Sequence, residues 1–204
     1  MISVVDYGLG NVEAFLTMYK RLGFEANRAK TKADLSAASK IILPGVGAFD
    51  HAIKLLNKSG MRETLETLVL GDKIPILGVC VGMQMLATSS DEGNLLGLGW
   101  IPGRVCLLSP SLKAASFPMP HMGWNTVVPQ KGHPLFINLE QEAKFYFLHS
   151  YYFECDKVLN KTANVFYGFD FACSVSSDNI HGVQFHPEKS HHFGTQLLKN
   201  YAEL

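Results

Sequence analysis

Residues 74–87 read Ile-Pro-Ile-Leu-Gly-Val-Cys-Val-Gly-Met-Gln-Met-Leu-Ala, and the fold class can be inferred from this segment outward. Its first half is an apolar run that predicts a buried strand, and residues 81–87 predict a helix. Cys80 lies at the junction, flanked by Gly78 and Gly82. This is the form of a nucleophile elbow with cysteine in the serine position, because flanking glycines allow a tight turn that exposes the nucleophile at the strand end. Taken alone, the pattern fits a small buried cysteine equally well.

Strands and helices alternate on the amino-terminal side of this stretch. Strands are predicted at residues 2–5, 24–28 and 41–43, and helices at residues 12–22, from Phe49 and from Met61. Strands without polar alternation, separated by helices, predict a parallel sheet covered on both faces.

Beyond Trp100 the pattern changes to short strands with frequent proline and glycine. These strands are predicted at residues 100–108, 125–128, 145–148, 171–176 and 180–185, and a last helix at about residues 194–201. No linker or repeat separates the two halves. We therefore predict a single α/β domain over residues 1–204, with a mixed, mostly parallel sheet flanked by helices.

Composition excludes several classes of protein. The chain has 204 residues, of which 47% are apolar, enough for a full core without disulfides. The 18 basic residues balance the 18 acidic residues, which argues against nucleic-acid binding. The longest apolar stretch is too short and too interrupted to cross a membrane. No basic region precedes the first apolar run, so no secretory signal is predicted.

The other cysteines and most histidines indicate no special chemistry. Cys106, Cys155 and Cys173 are scattered and lack flanking glycines, so core packing is predicted for each, in a reducing cytoplasm. His133 and His181 are interpreted as surface or turn residues. Neither group has the spacing of metal ligands, so no metal site is predicted.

A second informative stretch is residues 182–190, Gly-Val-Gln-Phe-His-Pro-Glu-Lys-Ser. Pro187 favours an extended His186, and residues two apart in an extended chain point to one side, so Glu188 can lie beside the imidazole. A carboxylate there would fix the tautomer and leave the other ring nitrogen to take a proton from a thiol. Alone, the tripeptide His186-Pro187-Glu188 is better explained as the end of a surface strand. The catalytic interpretation is favoured because Cys80, as a nucleophile, needs a base.

Two glycine-containing turns have the composition of ligand-binding loops. Pro44-Gly45-Val46-Gly47 follows a strand, and a backbone N–H there could be a second oxyanion donor, although an ordinary turn explains it as well. The turn at residues 8–11 is not a dinucleotide-binding motif, because the pattern needs a third glycine where Glu13 stands.

Taken together, these motifs resemble the class I, triad-type glutamine amidotransferases, which have a flavodoxin-like fold. More narrowly, they resemble the glutaminase subunits of imidazole glycerol phosphate synthases. The resemblance spans nearly the whole chain, and the matching segments are DYG with GN at residues 6–11, LPGVGAF at 43–49, GVCVGMQML at 78–86, PHMGWN at 120–125, FLHSYY at 147–152 and QFHPEKS at 184–190.

The resemblance implies hydrolysis of glutamine to glutamate and ammonia through a thioester on Cys80, with His186 as base and acid and Glu188 orienting it. Backbone groups at Val46 and Val81 would stabilise the oxyanion. The residues implied to hold glutamine are Gly45, Gly47, Gln84, His149, Ser150 and Tyr151. No cofactor is implied.

The partner implied by the resemblance is a (β/α)8-barrel cyclase subunit that receives the ammonia and makes imidazole glycerol phosphate and AICAR in histidine biosynthesis. Residues implied at that interface are Asn11, Met122, Trp124 and Lys189. The segment of residues 109–120, before the PHMGWN motif, is longer than the family pattern suggests. Three alternatives stay open: a paralogue that feeds ammonia to sugar amidation in surface polysaccharide synthesis, suggested by residues 12–15, a non-catalytic partner-binding subunit, and a stand-alone hydrolase.

Overall fold

The computed structural model describes residues 1–108 and 117–204. Among these residues the main sheet has nine strands, which are β1 (Ile2–Val5), β2 (Ala26–Ala29), β3 (Lys40–Gly45), β4 (Ile76–Cys80), β7 (His121–Pro129), β8 (Lys144–His149), β10 (Lys161–Phe166), β11 (Asp170–Ser177) and β12 (Ile180–Val183). Their order in the sheet is β2-β1-β3-β4-β12-β11-β10-β7-β8. Strands β2, β1, β3, β4 and β12 pair in parallel, and the other pairs are antiparallel. The α/β class and the mixed sheet are therefore confirmed.

Five helices accompany the sheet in the described part of the chain. They are α1 (Val12–Leu22), α2 (Phe49–Lys58), α3 (Arg62–Glu66), α4 (Val81–Gln84) and α5 (His191–Glu203). Helix α1 shows why such a segment folds: the Asn11 side chain accepts a hydrogen bond from the Ala14 N–H, and Gly23 ends the helix at φ +79°. No helix of the described residues is long and apolar enough to cross a membrane.

Several predicted boundaries were wrong. The helix after Cys80 ends at Gln84 and does not reach residue 87, because the chain turns there toward a second sheet. The last helix begins three residues early, at His191, and the predicted strand at residues 125–128 is the longer β7. Residues 109–116, within the long segment before the PHMGWN motif, lie outside the described part of the chain.

The second sheet was not predicted. It has three strands, β5 (Ser89–Ser90), β6 (Gly103–Leu107) and β9 (Tyr151–Cys155), in the order β5-β6-β9. Strand β9 follows β8 after Ser150 alone, so the chain passes from the main sheet to the second sheet at that residue. The segment from His149 to Tyr151 therefore lies at the junction of the two sheets.

Candidate active site

The turn at Cys80 has the geometry of a nucleophile elbow. Cys80 adopts φ +56° and ψ −114°, a backbone conformation that side-chain-bearing residues rarely occupy. A Cβ atom on Gly82 would lie 1.9 Å from the carbonyl oxygen of Leu43, and one on Gly78 would lie 2.6 Å from the carbonyl oxygen of Gly82. Both positions need glycine because neighbouring backbone occupies the space of a side chain. The turn thus presents the thiol where β4 ends and α4 begins.

His186 and Glu188 meet as the sequence predicted. His186 has an extended backbone (φ −101°), and its Nδ1 lies 2.8 Å from Oε1 of Glu188. Both side chains are buried, with 4% and 3% of their surfaces exposed. The backbone is held as well: the His186 N–H donates to the Tyr146 carbonyl on β8, and the Ser190 hydroxyl donates to the His186 carbonyl.

The imidazole of His186 also contacts Cys80. Burial lowers the pKa of His186, but its hydrogen bonds to Cys80 and Glu188 and the charges of these two groups together outweigh that effect and raise the pKa to about 9. The imidazole therefore keeps its proton at neutral pH. An imidazolium beside a sulfur is the arrangement in which enzymes use cysteine as a nucleophile.

A cavity of about 340 Å³ opens above this group. Its lining includes many of the residues singled out in the sequence: Val46, Gly47, Cys80, Val81, Gln84, His149, Ser150, Tyr151, His186 and Lys189. Gly45 is not among the described residues of the lining. It ends β3 and packs against the elbow, where a Cβ atom would lie 2.5 Å from the Gly82 nitrogen.

The loop that was predicted to supply an oxyanion donor borders this cavity. Gly47 has φ +86°, which favours glycine, and α2 begins two residues later at Phe49. The carboxylate of Glu92 accepts the Phe49 N–H at 2.8 Å, and Glu92 itself lines the cavity. Sequence reasoning missed Glu92, since a single acidic residue in a loop carries no motif.

The side-chain amides of Gln84 and Gln184 are hydrogen-bonded to each other beside Cys80. Nε2 of Gln84 donates to the Tyr151 carbonyl at 3.1 Å and to Oε1 of Gln184 at 3.0 Å. Nε2 of Gln184 in turn lies 3.8 Å from Sγ of Cys80. Gln184 was not assigned a role from the sequence; only its place two residues before His186 could have suggested one.

The residues predicted to face a partner lie outside the cavity, Lys189 excepted. Asn11 caps α1 at the surface, and Met122 and Trp124 expose 63% and 46% of their surfaces. Lys189 lies at the cavity edge, with Nζ 5.8 Å from the centre of the Tyr146 ring. Met122 and Trp124 are two residues apart on β7, so they lie on the same face of that strand.

Two minor predictions were wrong, and two were right. Cys106 is half-buried beside Glu154 and does not pack in the core, because it follows the buried Val105 on β6 and so lies on the opposite face of that strand. His181 is buried on β12 and hydrogen-bonds to Ser176, so it is no surface residue. Cys155 and Cys173 are buried, as predicted. No group of three or more potential metal ligands occurs within residues 1–108 and 117–204.

Comparison with known families decides the class of protein. The family described as Glutamine amidotransferase class-I matches residues 3–203. The chain belongs to this family.

Two relatives are similar to this class I glutamine amidotransferase along their whole length. This chain is 57% identical to a protein of Bdellovibrio bacteriovorus and 48% identical to one of Leptospira interrogans, in both cases over 204 residues that cover all of each chain. Both are named imidazole glycerol phosphate synthase subunit HisH.

Solved structures agree on the fold. A glutamine amidotransferase crystal structure matches with a TM-score of 0.77 at 18% identity, covering 99% of this chain and 97% of that one. PurLQS from Thermotoga maritima matches with a TM-score of 0.72 at 16% identity, over the same shares of the two chains. At such identities the likeness supports the fold alone.

Proposed function

We propose that this amidotransferase is the glutaminase subunit of an imidazole glycerol phosphate synthase, acting in histidine biosynthesis. The observation that carries the chemistry is the convergence of Cys80, His186 and Glu188 at one cavity. The full-length similarity to proteins named as that subunit supports the pathway. We place the protein in the cytoplasm and treat residues 1–204 as one domain.

The proposed reaction begins with attack by the Cys80 thiolate on the carboxamide carbon of glutamine. The new C–S bond pushes the carbonyl electrons onto oxygen, where the N–H groups of Val46 and Val81 would stabilise the negative charge. When the intermediate collapses, the C–N bond breaks and His186 gives its proton to the departing nitrogen, which leaves as ammonia. Water, deprotonated by His186, then hydrolyses the thioester to glutamate and restores the thiolate.

Substrate recognition follows from the polarity of the cavity. Glutamine carries an α-ammonium group, and the Glu92 carboxylate is the acidic group of the described lining that complements it. The proposed neighbours of the rest of the substrate all line the cavity and are Gly47, Gln84, His149, Ser150 and Tyr151. Gly45 would act indirectly, by letting the 45–47 loop pack on the elbow. No cofactor is needed for this chemistry.

The proposed partner is a (β/α)8-barrel cyclase subunit that receives ammonia through an internal passage. Such a passage keeps ammonia from solvent, where it would be protonated and lose its nucleophilicity. The exposed Met122 and Trp124, together with Asn11 and Lys189, would form the docking face, because exposed apolar side chains next to polar ones are typical of protein interfaces.

Glutaminase assays test the proposal. We expect weak glutamine hydrolysis by the chain alone and strong hydrolysis with the cyclase subunit and its ligand. Cys80→Ala should lower the rate by at least about 10⁴-fold, because it removes the nucleophile. Cys106→Ala, at a half-buried cysteine of the second sheet, is the matched control and should keep the activity. Wild-type activity in Cys80→Ala, or no stimulation by the partner, would refute the proposal.

A further inference from the structure

Two buried histidines face each other beside the triad. His121 on β7 and His149 on β8 are register partners, and 2% and 6% of their surfaces are exposed. Nδ1 of His121 lies 2.8 Å from Nε2 of His149, and Nδ1 of His149 lies 2.8 Å from the carbonyl oxygen of Tyr151. The triad chemistry uses neither bond, so the pair needs a separate explanation.

The partners of these rings determine where each proton sits. Burial lowers the pKa of His121 to about 4 and that of His149 to about 3, so both rings are neutral at pH 7. A carbonyl oxygen only accepts, hence Nδ1 of His149 carries the hydrogen and its Nε2 must accept. Nδ1 of His121 is therefore the donor. Its bare Nε2 faces the amide nitrogen of Asn125 at 3.4 Å.

The Nδ1–H of His121 supports two residues of the cavity lining, His149 and Gln84. His149 lines the cavity directly. The Tyr151 carbonyl that fixes His149 also accepts from Nε2 of Gln84, a second lining residue. If His149 lost the hydrogen bond from His121, its Nε2 would be a buried acceptor without a partner, and the ring would gain by turning toward another donor. Such a turn would end its donation to Tyr151.

We propose that His121 is a positioning residue for the glutamine pocket: its Nδ1–H bonds to Nε2 of His149 and holds that ring in the orientation that donates to the Tyr151 carbonyl, which in turn holds Gln84. The inference rests on the proposed glutaminase function. It assigns to the histidine of the PHMGWN segment a role in substrate binding at a position that contributes no surface to the described cavity lining.

Packing is the competing explanation for a buried histidine here. The His121 ring stacks between Phe147 and Tyr167, with ring centres 4.6 Å and 4.0 Å away. Two substitutions separate the roles. His121→Phe keeps an aromatic ring in the stack but has no donor, whereas His121→Asn loses the ring but places an amide N–H near the position of Nδ1.

The test measures glutamine KM and kcat for both variants in the complex with the cyclase subunit and its ligand. We expect His121→Phe to raise KM about tenfold, equivalent to about 1.4 kcal/mol, with a change in kcat of less than about threefold. We expect His121→Asn to keep KM within about threefold of the wild-type value. A KM that rises in Asn but not in Phe, or equally in both, would overturn the proposal.

A second readout needs neither a partner nor activity. Nitrogen-15 NMR of histidine-labelled wild-type chain should show the proton of His149 on Nδ1, with Nε2 bare, and the same state in His121→Asn. A proton on Nε2 of His149 in the wild-type chain would overturn the inference even if a variant failed to fold. Failure of the wild-type complex to hydrolyse glutamine would instead refute the proposed function.

Discussion

The nucleophile and the base of this site are held in place by different means. Cys80 is positioned by backbone, since its strained turn exists only because Gly78 and Gly82 leave room for neighbouring main chain. His186 is positioned by side chains, chiefly the Glu188 carboxylate and the Ser190 hydroxyl. The first arrangement depends on main chain packed closely around residues 78–82, and the second on side-chain hydrogen bonds within residues 186–190.

The sheet brings the two together. Strands β4 and β12 are parallel neighbours, with Gly78 opposite Gly182 and Val79 opposite Val183. Both carboxyl ends therefore reach the same edge, which is where α/β proteins bind their ligands. Residues that follow Val183 arrive beside Cys80. Substitutions around Cys80 should therefore disturb the backbone, whereas substitutions around His186 should change the charge beside its imidazole.

The largest effect is expected at Gly82. Gly82→Ala would place a Cβ atom 1.9 Å from the Leu43 carbonyl oxygen, so helix α4 and strand β3 would have to move apart. We expect a loss of at least about 3 kcal/mol in the free energy of unfolding, measured with urea, together with loss of glutaminase activity. Gly71→Ala is the control, because no atom lies within 4 Å of the added methyl group. Equal stability of the two variants would contradict the account.

A smaller effect is expected at Glu188. Glu188→Gln leaves a hydrogen-bond acceptor beside His186 but removes the charge that stabilises the imidazolium, so kcat/KM should fall about a hundredfold. Because Glu188 helps to raise the pKa of His186 to about 9, the alkaline limb of the pH profile should move to lower pH.

Glu203→Gln, at an exposed glutamate of α5, is the matched control for that substitution. An unchanged alkaline limb in Glu188→Gln would show that Glu188 does not act on the imidazole.

The smallest effect concerns His181 and the free energy of unfolding at acidic pH. Burial lowers the pKa of His181, on β12, to about 4, against about 6.5 in an unfolded chain. Between those values the unfolded chain binds a proton that the folded chain does not. The stabilising contribution is thus complete above pH 6.5 and is lost as pH falls toward 4, by about 2 kcal/mol between pH 7 and pH 5.

Urea unfolding at those two pH values checks this contribution. His181→Phe should lose less stability on acidification than the wild-type chain, whereas His51→Phe, at an exposed histidine of α2, should behave like the wild-type chain. An equal loss in wild type and His181→Phe would contradict the assignment.

The same contrast explains what the sequence could predict. The elbow and the extended His186 with its carboxylate follow from local rules for glycine and proline, so short motifs sufficed to place them together. Strand β9 was missed because it pairs with β6, a strand distant in sequence, to form the second sheet. Strand β10 of the main sheet was missed because its residues, Lys-Thr-Ala-Asn-Val-Phe, contain no continuous apolar run. Glu92, Gln184 and the His121–His149 pair gain their roles only from contacts that the fold creates.

Selective labelling of cysteines shows whether His186 activates a thiol held at Cys80. The chain is treated with a glutamine-mimicking electrophile and the modified peptides are identified by mass spectrometry. We expect modification at Cys80 at least about a hundredfold faster than at Cys106, and loss of that preference in His186→Ala. Faster labelling of Cys106, or labelling of Cys80 unchanged in His186→Ala, would contradict the account.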